Sequence, residues 1–285
     1  SAAATGVMLS RQAVMWLVMA LDSEGDRPGR FMMPICTGAS AGKPSAWVRT
    51  FMPVRSADSG STETAMPAST AEATTVEDQL VNRIWYSLPV ASSAAQAACL
   101  PTAWLTAYRM LTHDSGLTAG DTVLVQGASG GVASAATALG KALGLRVWVT
   151  GTSEAKRAAA LERGAAAAFE PGARLPERVD AVIETVGEAT WAHSLRSLRP
   201  GGTIVCAGAT SGFNPPAELN RVFFQQLRVI GSTMGNRQQF AALLALLESS
   251  GVRPAIDRVL PLTEAAEGFR AMAEGNVDGK VVLVP

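Results

Sequence analysis

Hydrophobic and polar positions divide the chain into two parts. Residues 1 to about 83 show no sustained period of 2 or 3.6, and the tract "SADSGSTETAMPASTAEATT" (56–75) reads as an exposed loop or mobile connection. Within that part, the apolar stretch "AVMWLVMAL" (13–21) reads as a buried strand or helix. From about residue 84 the pattern becomes regular. "ASSAAQAACLPTAWLTAYRMLTH" (91–113) has helical spacing, and a turn with two glycines then leads into the apolar run "TVLVQ" (122–126). Alternating units follow: a helix at about 131–143, strand "RVWVT", a helix at about 153–163, and a short strand "AAAF". Next come strand "DAVIETV", a helix at about 189–198, strand "GTIVCAG", a helix at about 216–226, strand "LRVIGST" and a helix at about 236–250. Strands alternating with helices of this length predict an α/β fold with a parallel sheet covered on both faces.

Composition narrows the function. The 285 residues suffice for two domains, and 48% hydrophobic content supports a sizeable core. Twenty-four basic and 24 acidic residues leave a formal charge of zero, which argues against nucleic acid or an anionic membrane as partner and leaves small molecules open. The 13–21 stretch is too short to span a bilayer and lacks a cleavage pattern, so the expected location is cytoplasmic. Cys36, Cys99 and Cys206 lie far apart, without the spacing of a disulfide framework or a structural zinc site. Cys36 reads as a buried thiol, His113 as a solvated helix end, and His193, in "TWAHSLRSL", as part of a surface helix. No metal site is expected.

The candidate chemistry lies in "GASGGVASAA" (127–136). In a dinucleotide site the chain leaves a buried strand, turns tightly, and opens a helix whose free N–H groups face the pyrophosphate, so small residues are a physical requirement. The run Gly127-x-x-Gly130-x-x-Ala133, with Gly131 beside it, supplies them. The end of the next strand selects the cofactor, because an acid there would bind the ribose hydroxyls of NAD and repel a 2′-phosphate. Residues 150–153 are Thr-Gly-Thr-Ser, and Lys156 and Arg157 follow, so NADP(H) is favoured. Glu154 is the counter-argument if it turns inward, and is otherwise a solvated residue of the first helical turn.

"GDTVLVQGASGGVASAATALGKALGLRVWVTGTSEAKRAAALERGA", "DAVIETVGEATWAHSLRSLRPGGTIVCAGATSG", "VFFQQLRVIGSTMG" and "GKVVLVP" together resemble the medium-chain dehydrogenase/reductase superfamily, near its quinone oxidoreductase and zinc-type alcohol dehydrogenase branches. The resemblance covers about residues 84–285. It implies a Rossmann doubly wound sheet over 106–251, and a reduced or divergent GroES-like β-rich substrate domain over 1–105 completed by 252–285. It also implies a homodimer. Carried onto this sequence, the pyrophosphate meets Gly127, Ser129, Gly130, Gly131 and Val132, and the 2′-phosphate end meets Thr150, Ser153, Lys156 and Arg157. Thr185, Val186, Gly208, Ala209 and Thr210 line the nicotinamide half. Ser232 lies in the "GSTMG" turn that would close over the carboxamide, and Lys280, before the last strand, helps hold the cofactor. Thr106 resembles the family's threonine beside the nicotinamide ring, and Tyr108 is a candidate proton donor alongside its reading as a packed aromatic.

The first 83 residues depart from the family. The ligand cysteine, Gly-His-Glu motif and four-cysteine lobe of the zinc enzymes are missing, so this part has diverged, been truncated, or been read out of its ancestral frame. The leading expectation is an NADPH-dependent, zinc-independent oxidoreductase acting on a quinone or α,β-unsaturated carbonyl. The alternatives are a zinc-type alcohol dehydrogenase relative and a nucleotide-binding protein without turnover.

Overall fold

The computed structural model describes residues 93–284 and the backbone of one short strand earlier in the chain, β1 (Val18–Met19). The expectations placed on Cys36 and on residues 56–75 lie outside the described residues, as does all of the 13–21 stretch except that strand.

A helical run, α1, opens the described region, with pieces at Ala94–Ala98, Leu100–Trp104, Leu105–Arg109 and Met110–Asp114. Ser93 and Gln96 cap it reciprocally, each side-chain oxygen accepting the other's backbone N–H at 3.2 Å. Pro101 supplies no N–H, and the run widens there: the N–H of Leu105 reaches back five residues to the carbonyl of Leu100.

The main sheet has six strands, all parallel: β2 (Thr122–Val125), β3 (Arg146–Thr150), β4 (Ala167–Phe169), β5 (Val179–Glu184), β6 (Leu198–Cys206) and β7 (Arg228–Gly231). Their spatial order is β4-β3-β2-β5-β6-β7, the doubly wound order, and the direction of winding reverses between β2 and β5. The connecting helices are α2 (Gly131–Ala142), α3 (Glu154–Arg163), α4 (Glu188–Ser197) and α5 (Leu219–Phe224), and α6 (Arg237–Ser250) follows β7. Val123, Leu124 and Val125 are fully buried, as an apolar run in a central strand covered on both faces must be. α2 is buried continuously from Ala133 to Gly140, and a Cβ on Gly140 would stand 2.6 Å from Val147 Cγ2. Its small side chains let it lie this close to the sheet.

The predicted strands and helices are present, with three local corrections. The helix expected over 216–226 shortens to Leu219–Phe224, because Pro215 and Pro216 precede it and Glu218 sits at a left-handed φ of 45°. Strand β5 stops at Glu184, which leaves Thr185 and Val186 in the turn. Lys280 is the first residue of the last strand, not a residue ahead of it. Beyond the predicted elements the structure adds β8 (Ile256–Pro261) and α7 (Ala265–Ala273), which lead to β9 (Lys280–Val284). β1, β9 and β8 form a second parallel sheet with β9 in the centre. No helix among the described residues is long and apolar enough to cross a membrane.

Candidate cofactor site

The winding reversal opens a crevice at the carboxyl ends of β2 and β5, where ligands bind in sheets of this order. Two glycines shape the turns that line it. Gly127, after β2, has φ +89°, and Gly187, after β5, has φ +91°; a Cβ on Gly187 would stand 2.6 Å from the carbonyl oxygen of Gly212. Both positions require a residue free of Cβ strain.

Gly130 and Gly131 differ in what their missing side chains leave room for. Gly130, the N-cap of α2, has an extended backbone, and a Cβ there meets nothing within 4 Å. Among the described residues nothing therefore demands glycine at 130, and the position caps a helix whose first-turn N–H groups have no intrahelical acceptor. At Gly131 a Cβ would fall 2.9 Å from Lys280 Cδ, 3.7 Å from its Nζ and 3.3 Å from Ala103 Cβ. Lys280 thus reaches the start of α2 from the second sheet. It is only 5% exposed, and its ammonium has no carboxylate or hydrogen-bond partner among the described residues. Burial lowers its pKa from the usual lysine value, while the neighbouring Cys99 acts in the opposite direction; burial in turn pushes the Cys99 thiol up to about 11.

The segment before β9 is fastened to the phosphate turn. Gly279 N–H donates to the carbonyl of Ser129 at 3.0 Å. Arg163, at the end of α3, donates to both carboxylate oxygens of Asp278 at 2.8 and 2.7 Å, and to the carbonyl of Ala128 at 3.2 Å. Sequence reasoning missed this clamp, because the two residues lie far apart in the chain and each alone is an ordinary charge. Val132 and Ser129 are half-buried beside it.

The proposed 2′-phosphate contacts divide into committed and uncommitted groups. Thr150 is buried, and its hydroxyl accepts the Gly127 N–H at 3.1 Å while donating to Gln126 Oε1 at 2.7 Å, so it holds the turn from behind. Ser153 is the N-cap of α3 and accepts the N–H of Lys156 at 3.3 Å, which leaves its own proton free to donate. Arg157 folds back onto the carbonyl of Gly151 at 2.8 Å and pairs with Glu170 at 3.6 Å. Lys156 is half-buried, with its ammonium 3.6 Å from where a Cβ on Gly275 would be. Glu154 is exposed in the first turn of α3.

On the other half of the crevice, Thr185 and Val186 meet the loop after β6. The carbonyl of Val186 accepts from both the N–H (2.8 Å) and the hydroxyl (2.7 Å) of Ser211, and a Cβ on Gly208 would stand 2.9 Å from the Thr185 carbonyl oxygen. Gly208 and Ala209 are half-buried and Thr210 is exposed. Ser232 is buried, its hydroxyl has no hydrogen-bond partner among the described residues, and its N–H is held by the Cys206 carbonyl at 2.8 Å. The turn that carries it lies on α1, since a Cβ on Gly235 would stand 2.6 Å from Leu105 Cδ1. Thr106, the next residue, is buried. Tyr108, two positions further along the helix, does not share its face. Its ring packs edge-on to His113 at 6.1 Å, so the two proposed catalytic hydroxyls are not brought together.

His193 corrects the sequence reading. The imidazole is 6% exposed, not part of a surface face: Nδ1 lies 2.9 Å from Gln126 Nε2, and Nε2 lies 2.8 Å from the Ala173 carbonyl. Burial lowers its pKa below 6.5, with Arg196 pulling the same way and the Ala173 carbonyl and Glu184 opposing. His113 is exposed, as expected. Among the described residues no three His, Cys, Asp or Glu side chains are grouped to hold a metal ion.

These features define a dinucleotide-binding domain of the dehydrogenase type, and comparison with known proteins gives the family. A zinc-binding dehydrogenase model matches residues 154–283. Quinone oxidoreductase of Mus musculus is 32% identical over 220 residues, which are 70% of this chain and 65% of that protein. Among solved structures, an NAD-dependent alcohol dehydrogenase is 34% identical with a TM-score of 0.64, over 68% of this chain and 60% of that one. The 2-octenoyl-CoA carboxylase reductase CinF, in complex with NADP and 2-octenoyl-CoA, is 30% identical with a TM-score of 0.65, over 69% and 51%. The described domain is of the medium-chain dehydrogenase/reductase type, like these relatives. The chain spans less than two thirds of their length.

Proposed function

We propose that the chain binds NADP(H) in this crevice and acts as a zinc-independent oxidoreductase on a quinone or α,β-unsaturated carbonyl. The observation that carries the reading is Lys280, a residue only 5% exposed whose ammonium, beside Gly131, has no counter-charge among the described residues. A buried cation without a counter-charge is costly, and the positive end of α2 adds to the cost. A pyrophosphate offsets both, and the open space over Gly130 admits it.

The bound nicotinamide supplies hydride chemistry, and the protein supplies binding and orientation. Gly130, Gly131 and Val132 would hold the pyrophosphate through backbone N–H groups, with Lys280 as the counter-charge. Lys156 and the proton of Ser153 would meet the 2′-phosphate. Arg157 supports the strand end through the Gly151 carbonyl and contributes charge at longer range. The Ser232 hydroxyl, without a partner among the described residues, suits a carboxamide, and Thr106 on α1 is the candidate for orienting the ring. Support for NADP comes from the acid-free end of β3; the solved relatives include one described as NAD-dependent and one bound to NADP.

The zinc-independent reading rests on the donors. Both nitrogens of His193 are occupied inside the protein, Cys99 donates to the Ala95 carbonyl at 3.2 Å, and Cys206 donates to the Gly208 carbonyl at 3.5 Å. A Rossmann unit over 106–251, with 252–285 returning to a substrate domain in the first 105 residues, remains our domain assignment. The test is a fluorescence titration of NADPH, set beside NADPH oxidation over a panel of quinones and enones. Binding with oxidation is expected; binding without oxidation would leave a nucleotide-binding protein, and absence of binding would overturn the reading.

We also assign a homodimer. Among the described residues β7 is the open edge of the main sheet, Val229 on it is 49% exposed, and Phe223 and Phe224 stand 61% and 79% exposed just before it. An unpaired edge with adjacent apolar surface is suited to a second copy.

A further inference from the structure

Behind the crevice, at the ends of β2, β3 and β5, lies a hydrogen-bonded group that the cofactor contacts above do not use. Gln126, Ser194 and Glu184 are fully buried, and Thr150 is 1% exposed. Each proton in the group is fixed by its neighbours. The Thr150 hydroxyl accepts from Gly127 N–H, so its own proton goes to Gln126 Oε1. That sets the amide, whose Nε2 donates to Ser194 Oγ and to His193 Nδ1, both at 2.9 Å. The Ser194 proton goes to Glu184 Oε2 at 2.5 Å, and His193, accepting at Nδ1, donates from Nε2 to Ala173. Glu184 Oε1 also accepts the backbone N–H groups of Val186 (2.8 Å) and Gly187 (3.0 Å), and Thr190 donates to both carboxylate oxygens.

The group therefore begins on a backbone N–H of the phosphate turn and ends on two backbone N–H groups of the turn after β5. These are the two turns flanking the winding reversal. We infer that Gln126, Ser194 and Glu184 are positioning residues, which hold the Gly127 turn and the Val186–Gly187 turn at one fixed separation before any ligand arrives. For the cofactor this rests on the reading above; as a property of the empty fold it does not. Hydrogen bonds linked in series in a dry interior reinforce one another, so loss of one link should loosen both ends.

The experiment measures amide hydrogen exchange of the ligand-free protein in peptides covering 126–131 and 184–189. Thr150→Val removes the link nearest the first turn, Ser194→Ala the link nearest the second, and Thr150→Ser keeps the first hydroxyl. Each of the two breaking variants should speed exchange at both turns by about tenfold, the size of one lost buried hydrogen bond, while Thr150→Ser stays within about twofold. Faster exchange confined to the turn nearest each substitution overturns the inference. With NADPH, the two breaking variants combined should weaken binding by less than the product of their separate effects. Multiplicative effects on NADPH would also count against it. If the native protein binds no NADPH, the functional reading falls, while the exchange measurement still decides the coupling.

Discussion

Lys280 occupies the space that a side chain on Gly131 would need, with its Cδ 2.9 Å and its Nζ 3.7 Å from the position of a Cβ there. The glycine turn and the last strand therefore touch, and in the function proposed above they are two parts of one anion site. Gly130, one residue earlier, has no such neighbour.

That contrast predicts different outcomes for two substitutions. Gly130→Val should leave the fold intact and abolish most NADPH binding, because its branches fill the space left for the ligand. Lys280→Met should also weaken NADPH, yet should hold or raise the stability of the ligand-free protein by removing the charge of a residue 5% exposed that has no partner among the described residues. Chemical denaturation beside NADPH titration checks both. A Gly130→Val protein with native affinity would reduce the cluster to a turn.

Lys156 and Arg157 should separate although they are adjacent. Loss of one charge-assisted contact costs on the order of 1.5–3 kcal/mol, so Lys156→Ala should weaken NADPH by that amount and leave NADH nearly unchanged. Arg157→Ala should weaken both cofactors, with a smaller preference against NADPH than Lys156→Ala, since its guanidinium mainly supports the Gly151 carbonyl. Affinities of the two variants for the two nucleotides decide it, and equal binding of NADPH and NADH by the native protein would contradict the assignment.

Stability should fall in mild acid through His193. Its folded pKa lies below the usual 6.5, so below that pH the unfolded chain takes up the proton first. The contribution is complete above pH 6.5 and is lost as the pH falls from there to the folded value. Urea unfolding between pH 7.5 and 5 should show this loss in the native protein and a smaller one in His193→Gln. Identical profiles would place the loss elsewhere.

The open edge makes a prediction about assembly. Val229→Lys puts a charge on the exposed side of β7 and should shift sedimentation from dimer to monomer while the thermal transition moves little. A native protein that sediments as a monomer at all concentrations would remove the basis for this assignment.

The sheet was legible because its signals are local. Each strand is a short apolar run, and the β2 run passes directly into glycines and an alanine-rich helix. β8 and α7 escaped because "IDRVLPLTEAAEGF" carries charges and one proline, Pro261, through its apolar positions. His193 was misjudged for a different reason: α4 buries Thr190, His193, Ser194 and Ser197, a polar face at i, i+3, i+4, i+7. Hydrophobic periodicity assigns such a face to solvent. The signal that marks it as internal is Glu184 and Gln126, two polar residues at the ends of otherwise apolar strands, which require partners. The Lys280 contact depends on long-range packing, and no spacing rule locates it.

Joining residue 131 to residue 280 also orders events during synthesis. The glycine turn, β2 and α2 are neighbours in sequence and can form as soon as they emerge, whereas the ammonium arrives only after β8 and α7, at the start of the closing strand. A chain that ended before residue 280 would hold the sequence of the sheet and the glycine turn without that counter-charge.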